Sequence, residues 1–144
     1  MSAPAAFNIS SSPRVDSDVP ECFAYAKTAF EGRPGWSDRR VLDALERDVV
    51  FVAHEDGLPA GYVALSLGDD ALVIEQLLVA PGHEQRGVGR RLLAHAEGYA
   101  ITQHARALQI VVEEDNVVAR RFYLRCGFVP VAPELVERIL PGSA

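Results

Sequence analysis

Lysine and cysteine are scarce in this sequence, and it contains no long apolar run. Lys27 is the only lysine, so arginine supplies nearly all of the positive charge, and the acidic residues exceed the basic ones to give a net charge of −6. A general nucleic-acid binder needs clustered Lys and Arg to neutralise phosphates. The charge balance therefore disfavours nucleic acid as a partner.

The two cysteines, Cys22 and Cys126, are too few to form a disulfide framework. The four histidines and two cysteines also lack the spacing of zinc ligands, so we expect no metal site.

No apolar stretch approaches the roughly 20 residues that span a bilayer. The first residues, Met1 to Ala6, lack the basic and apolar regions of a signal peptide. We therefore expect a cytoplasmic protein without a membrane partner.

The 144 residues, 49% of them hydrophobic, suit one domain over residues 1–144. Phe7 and Ile9 alternate with polar residues as in a short strand, and two helical patterns follow, the second capped by Ser37. From Val49 three β-rich runs separated by turns predict an antiparallel meander. A helix from Gly89 to about His104, a buried strand, a further helix and two short strands complete the pattern.

The segment from Val79 to Leu93 places Gly87 and Gly89 among arginines, between a β-rich run and a helix. A helix N-terminus has unpaired N–H groups and partial positive charge, so a glycine turn leading into it forms an anion site. The segment lacks the lysine of a P-loop and the third glycine of a dinucleotide fingerprint. It predicts a phosphate cradle with nearby arginines, and the alternative is an ordinary turn with solvated arginines: Arg86, Arg90 and Arg91.

A second motif, from Asn116 to Phe128, lies one predicted strand beyond the glycine turn. Together the two motifs resemble the GCN5-related N-acetyltransferase (GNAT) family. That family has a strand, a Pro, Arg/Gln-x-x-Gly-x-Gly/Ala, a helix, a strand and Asn-x-x-Ala-x-x-Phe-Tyr-x-x-x-Gly-Phe. The matching positions are Leu77, Val79, Pro81, Gly87, Gly89, Asn116, Ala119, Phe122, Tyr123, Gly127 and Phe128.

One position departs from the family pattern, because Glu84 stands where the family has Arg or Gln. A carboxylate beside a pyrophosphate is repelled unless it points to solvent or pairs with an arginine. We therefore expect the cradle to act through backbone amides and neighbouring arginines.

The resemblance implies the acyl-CoA N-acyltransferase fold, an α/β fold of three αβα layers with a mixed, mostly antiparallel central sheet flanked by helices. It also implies acetyl transfer from acetyl-CoA, as cosubstrate, to a primary amine by direct attack in a ternary complex. The family resemblance allows a homodimer.

The resemblance further implies which residues bind acetyl-CoA. Its pyrophosphate would lie on the backbone amides of Gln85, Arg86, Gly87, Val88, Gly89 and Arg90. Its pantetheine arm would pair like an extra strand along Leu77, Leu78 and Val79, because an open strand edge offers N–H and C=O groups. Asn116 would contact the cofactor, with a simple helix cap as the alternative.

Tyr123 matches the family's tyrosine acid, which protonates the departing thiolate, with a role in core packing as the alternative. Glu75 is the candidate base, since it lies two residues from Leu77 and so on the same strand face. An exposed strand carboxylate is the competing interpretation, and His83, His54 or water are weaker candidates for the base.

A non-catalytic module that binds acetyl-CoA or a partner is the alternative function, and a structural interaction domain is a third. The sequence leaves the acceptor open among small amines, amino acids, antibiotics, polyamines and protein amines.

Overall fold

The computed structural model of the protein describes residues 7–9, 19–32, 36–80, 82–83 and 87–141. These residues form seven strands and four helices, in an order that agrees with the sequence pattern. The elements are β1 (Phe7–Ile9), α1 (Val19–Phe30), α2 (Asp38–Arg47), β2 (Val49–Glu55), β3 (Leu58–Leu67), β4 (Ala71–Val79), α3 (Val88–Thr102), β5 (Ala107–Val111), α4 (Val117–Arg125), β6 (Val129–Ala132) and β7 (Leu135–Ile139).

The helix boundaries follow local hydrogen bonds. The hydroxyl of Ser37 accepts a bond from the Arg40 N–H at 3.4 Å, which confirms the predicted cap of α2. Helix α3 ends at Thr102, two residues before the predicted His104, because His104 adopts a left-handed φ of +59°.

The strands lie in the order β1-β2-β3-β4-β5-β7-β6. Strands β4 and β5 run parallel, from the pair Ala71 and Ala107 to the pair Ile74 and Ile110. The pairs β1–β2, β5–β7 and β6–β7 are antiparallel. The expected mixed, mostly antiparallel sheet is confirmed.

The β3–β4 hairpin has one extra residue on β4. The Gly68 N–H donates to the Ala71 carbonyl, and the Ala80 N–H donates to the Ala60 carbonyl. Between these two bonds the chain advances eight residues along β3, from Ala60 to Gly68, and nine along β4, from Ala71 to Ala80. A regular antiparallel ladder has equal numbers on both strands, so β4 contains a β-bulge.

Side-chain bonds locate this bulge at Glu75 and Gln76. Ser66 donates to Glu75 at 2.6 Å and Tyr62 donates to Gln76 at 2.7 Å, although Glu75 and Gln76 are sequence neighbours. Tyr62 and Ser66 share a strand face because they are four residues apart. The bulge interrupts the alternation of β4, so the expectation that Glu75 and Leu77 share a face is wrong.

The described residues group into two compact units, the first within residues 1–64 and 76–93 and the second within residues 65–75 and 94–144. In the core of the first unit, side chains of α1 and α2 pack against side chains of β2 and β3. The buried residues of this core are Cys22, Ala26, Val41, Leu45, Val50, Val52, Tyr62 and Ala64. The single-domain expectation stays a prediction. Over the described ranges, no helix is long and apolar enough to cross a membrane.

Candidate active site

The glycine turn of the first unit leads directly into α3. Gly87 has a φ of +82°, a conformation that a side chain makes costly. The first helical bond runs from the Arg91 N–H to the Gly87 carbonyl at 3.0 Å. By helix geometry, the N–H groups of Val88, Gly89 and Arg90 precede that bond and face outward at the N-terminal end. The turn therefore has the backbone donors that an anion requires.

Not all of the predicted cradle lies within the described ranges. Two of its predicted residues, Gln85 and Arg86, lie outside the described residues, as does Glu84. Val88 is buried, whereas Gly89 is half-buried and Arg90 is exposed. Val88 thus anchors the helix start while its neighbours remain accessible.

His83 lies in the turn that precedes the cradle and contacts the end of β2. Its Nδ1 lies 2.6 Å from Oε1 of Glu55, and the two side chains are only 23% and 10% exposed. The His83 N–H also donates to the Ala80 carbonyl at 3.0 Å. Sequence reasoning considered His83 as a weak base and missed Glu55, because the two are 28 residues apart. This pair fixes the turn that precedes the cradle.

The second half of β4 supplies Leu77, Leu78 and Val79, which are all half-buried. Leu78 packs against the core of the first unit. A Cβ on Gly61 would lie 2.5 Å from the Leu78 carbonyl oxygen, so β3 approaches this segment very closely. The described pairs between β4 and β5 end at Ile74, before this segment begins.

In the second unit, the Asn116 motif forms the two ends of α4. The side-chain oxygen of Asn116 accepts a bond from the Ala119 N–H at 3.2 Å, so Asn116 is the N-cap. Its amide nitrogen has no acceptor among the described residues. Asn116 is therefore a helix cap, and its role toward the cofactor stays a prediction.

The C-terminal end of α4 is a Schellman motif. The Phe128 N–H donates to the Tyr123 carbonyl and the Gly127 N–H to the Leu124 carbonyl, both at 3.1 Å, and Gly127 has a φ of +95°. A Schellman motif brings the two side chains joined by its longer bond into contact, and these belong here to Tyr123 and Phe128. Their rings meet edge to face, with 5.6 Å between the ring centroids. The family spacing Tyr-x-x-x-Gly-Phe therefore has a physical basis in this cap.

Tyr123 combines a buried ring with a hydroxyl that bonds to none of the described residues. The residue is 5% exposed, and its ring also lies 5.2 Å from that of Phe122. Burial, with a smaller contribution from Cys126, raises the pKa of Tyr123 above its ordinary value. Its hydroxyl has no hydrogen-bond partner within the described part of the chain. A phenol hydroxyl can donate its proton to a ligand.

The candidate bases have ordinary surroundings. Glu75 is exposed on β4 and accepts the bond from Ser66. His54 is half-buried in β2, where it pairs with Asn8. Where the chain is described, no group of three or more His, Cys, Asp or Glu side chains has the arrangement of a metal site.

Known proteins are similar to this chain in sequence and in fold. The profile of the acetyltransferase (GNAT) family matches residues 16–128. Streptothricin acetyltransferase from Streptomyces lavendulae is 40% identical over 88 residues, which are 60% of this chain and 46% of that protein. Mycothiol acetyltransferase from Cellulomonas flavigena is 38% identical over 71 residues, which are 49% of this chain and 20% of that protein. The chain thus spans less than half of each relative.

A solved structure shows the fold. PaiA N-acetyltransferase from Thermoplasma acidophilum, in complex with coenzyme A, superposes with a TM-score of 0.75 at 18% identity, over 93% of this chain and 99% of that one. The fold that the two motifs implied is confirmed.

Proposed function

The chain belongs to the GNAT acetyltransferase family, and on this basis we propose that it transfers the acetyl group of acetyl-CoA to a primary amine by direct attack in a ternary complex. The observation that carries the proposal is Tyr123, whose ring is fixed by the α4 cap and whose hydroxyl lacks a partner within the described residues.

We propose that the start of α3 binds the pyrophosphate of acetyl-CoA through the N–H groups from Gln85 to Arg90. The positive end of the α3 dipole and the exposed Arg90 side chain add favourable charge. The pantetheine amides would pair with Leu77 to Val79, the part of β4 that lies beyond the described pairs with β5.

The reaction requires two protons to leave the alkyl ammonium, one before the attack and one as the amide forms, and one proton to reach the sulfur. An alkyl ammonium with a pKa near 10 must first be deprotonated. We propose Glu75 as its base, directly or through water, because its carboxylate is exposed on β4, although it does not share a strand face with Leu77. The Tyr123 hydroxyl then donates its proton to the departing thiolate, and the second proton released by the amine nitrogen restores the phenol. Tyr123 is protonated at neutral pH, as an acid must be, because the ordinary pKa of a phenol is near 10 and burial raises the pKa of Tyr123 further.

No covalent acetyl-enzyme is included in this mechanism. Cys22 is 2% exposed in the core of the first unit, which suits packing rather than nucleophilic attack. Cys126 is the C-cap of α4, where its backbone N–H bonds to carbonyls of the last turn.

The decisive experiment measures acetyl-CoA-dependent thiol release with a panel of amines, beginning with streptothricin because of the relative named above. We expect turnover with at least one amine. The Tyr123→Phe variant should lower kcat about 10- to 100-fold with little change in the Kd for acetyl-CoA. Tyr25→Phe is the matched control, since Tyr25 donates to the Pro59 carbonyl and lies outside the proposed machinery.

The alternative of a non-catalytic binding module makes a different prediction. It requires that acetyl-CoA raise the melting temperature while no amine gives thiol release. Binding at 100 times Kd stabilises the native state by about 2.7 kcal/mol, which a thermal-shift titration resolves. If saturating acetyl-CoA produced no shift, both functions would be refuted.

Asn116 is tested by two substitutions. Asn116→Asp keeps an oxygen for the helix cap but removes the amide donor, whereas Asn116→Ala removes both. If Asn116 binds the cofactor, Asn116→Asp should weaken acetyl-CoA binding while it preserves thermal stability. Unchanged cofactor affinity in both variants would make Asn116 a cap alone.

A further inference from the structure

The C-terminal end of α4 is held by an arginine from β7. Nη1 of Arg138 donates to the carbonyl oxygen of Cys126 at 2.6 Å. Cys126 is the C-cap of the helix, so its carbonyl is among the last four that have no partner within the helix. The positive guanidinium also lies at the negative end of the helix dipole, which is favourable.

The same guanidinium is held on its other side by α3. Nε of Arg138 lies 3.1 Å from Oε1 of Glu97, and the two side chains are 36% and 25% exposed. This ion pair restricts the rotation of the long arginine side chain. Arg138 therefore connects the C-terminal end of α4 to α3, a helix that takes no part in the α4 cap.

Gly127 makes room for this arrangement. A Cβ at residue 127 would collide with Nη1 of Arg138, and the φ of +95° also favours glycine. Gly127 thus allows both the Schellman motif and the approach of the guanidinium.

The held cap is the part of α4 that carries Tyr123. The Tyr123 carbonyl accepts from the N–H groups of Cys126 and Phe128, at 3.0 and 3.1 Å. Arg138 binds the next free carbonyl of this network. Helix α4 has only nine residues, a length at which tertiary contacts rather than helix propensity decide position.

We propose that Arg138, with Glu97, is a positioning residue for acetyl transfer, because it fixes the α4 cap and thereby the place of the Tyr123 hydroxyl. The inference rests on the proposed function of Tyr123 as the acid. A misplacement of a reacting group by about 1 Å can cost roughly 100-fold in rate. Loss of Arg138 should therefore affect the chemical step rather than cofactor binding.

The chain offers a matched control in Arg120. Its Nη1 donates to the Pro133 carbonyl at 3.0 Å, so it too joins α4 to the β6–β7 hairpin through a guanidinium–carbonyl bond. This bond is exposed and involves no carbonyl of the C-terminal cap. Arg120→Gln should leave kcat within twofold of the wild type.

The test is a double-mutant cycle on kcat, measured with acetyl-CoA and the best amine of the panel. Arg138→Gln should lower kcat about tenfold with the KM for acetyl-CoA within twofold. In the Tyr123→Phe background the same substitution should change kcat by less than twofold, because its effect passes through the missing hydroxyl. An equal loss in both backgrounds would overturn the inference.

A spectroscopic measurement separates this inference from the proposed function. With tyrosine labelled by ¹³C at Cζ, Arg138→Gln should shift the Tyr123 resonance and leave that of Tyr62, in the first unit, in place. If Arg138→Gln does not fold, Glu97→Gln is used in both measurements with the same expectations. An unmoved Tyr123 resonance would refute the positioning role, whereas absent turnover in the wild type with a moved resonance would refute only the function.

Discussion

Substitution of Gly61 by alanine tests how closely β3 approaches the proposed pantetheine segment. The new Cβ would lie 2.5 Å from the Leu78 carbonyl oxygen, 3.2 Å from Cα of Val79 and 3.3 Å from Cδ1 of Leu92. The Leu92 methyl can rotate away, but the first two atoms belong to the β4 backbone. Strand β4 must therefore shift to relieve the collision.

The expected cost follows from this geometry. Overpacking of a tightly packed interior costs about 1 to 3 kcal/mol, and a backbone clash belongs in the upper part of that range. A loss of about 2 to 3 kcal/mol lowers the melting temperature of a chain of this size by roughly 6 to 10 °C. Because Leu78 and Val79 move, the Kd for acetyl-CoA should also rise.

Gly98→Ala is the control with the opposite sign. Gly98 lies within α3, is exposed, and a Cβ there meets nothing within 4 Å. Alanine in a helix interior is favoured over glycine by about 0.5 to 1 kcal/mol. Urea unfolding of the wild type and both variants gives the two free-energy changes. If Gly61→Ala were as stable as Gly98→Ala, the close approach of β3 and β4 would be wrong.

Three further predictions concern the cradle, the cap and alkaline stability. Glu55→Gln should release His83 and weaken acetyl-CoA binding severalfold with kcat nearly unchanged; a kcat effect alone would contradict this. Asn116→Ala should cost about 1 kcal/mol in urea unfolding through loss of the cap, and no loss would contradict the cap. Burial raises the pKa of Tyr62 and Tyr123, so the unfolded state loses their protons first. Above about pH 10, stability should fall by roughly 1.4 kcal/mol per pH unit per residue, a slope that each Phe variant should reduce.

The sign of the alkaline effect follows from proton binding. Where the folded pKa is raised, the stabilisation is complete below the unfolded pKa, near 10, and is lost as the pH rises toward the folded value. Stability measured by urea unfolding between pH 9 and 11 that did not decline would contradict the burial of both phenols.

Local features of the site were predictable because they depend on hydrogen bonds between residues close in sequence. The Ser37 cap, the Asn116 cap and the Gly127 end of α4 each involve partners within five residues. The order of strands and helices was predictable for the same reason, since periodicity records which face of each element is buried. Together, these local features allowed the two sequence motifs to indicate the fold family.

Contacts between distant residues were not predictable in this way. The bulge at Glu75 and Gln76 depends on the count of residues on two paired strands, and it changed the face assigned to Glu75. Neither Glu55 nor Arg138 belongs to a sequence motif, because the partner of Glu55 lies 28 residues away and that of Arg138 lies 12 residues away.

The sequence by itself determined the family, the order of elements and the capped helix that carries Tyr123. These follow from short-range hydrogen bonds and from the alternation of apolar residues, which one chain segment specifies alone. Only the tertiary structure decided how the turn before the cradle is held, where β4 loses its alternation and which arginine holds the Tyr123 cap. Each of these depends on packing between segments that meet only when the chain has folded.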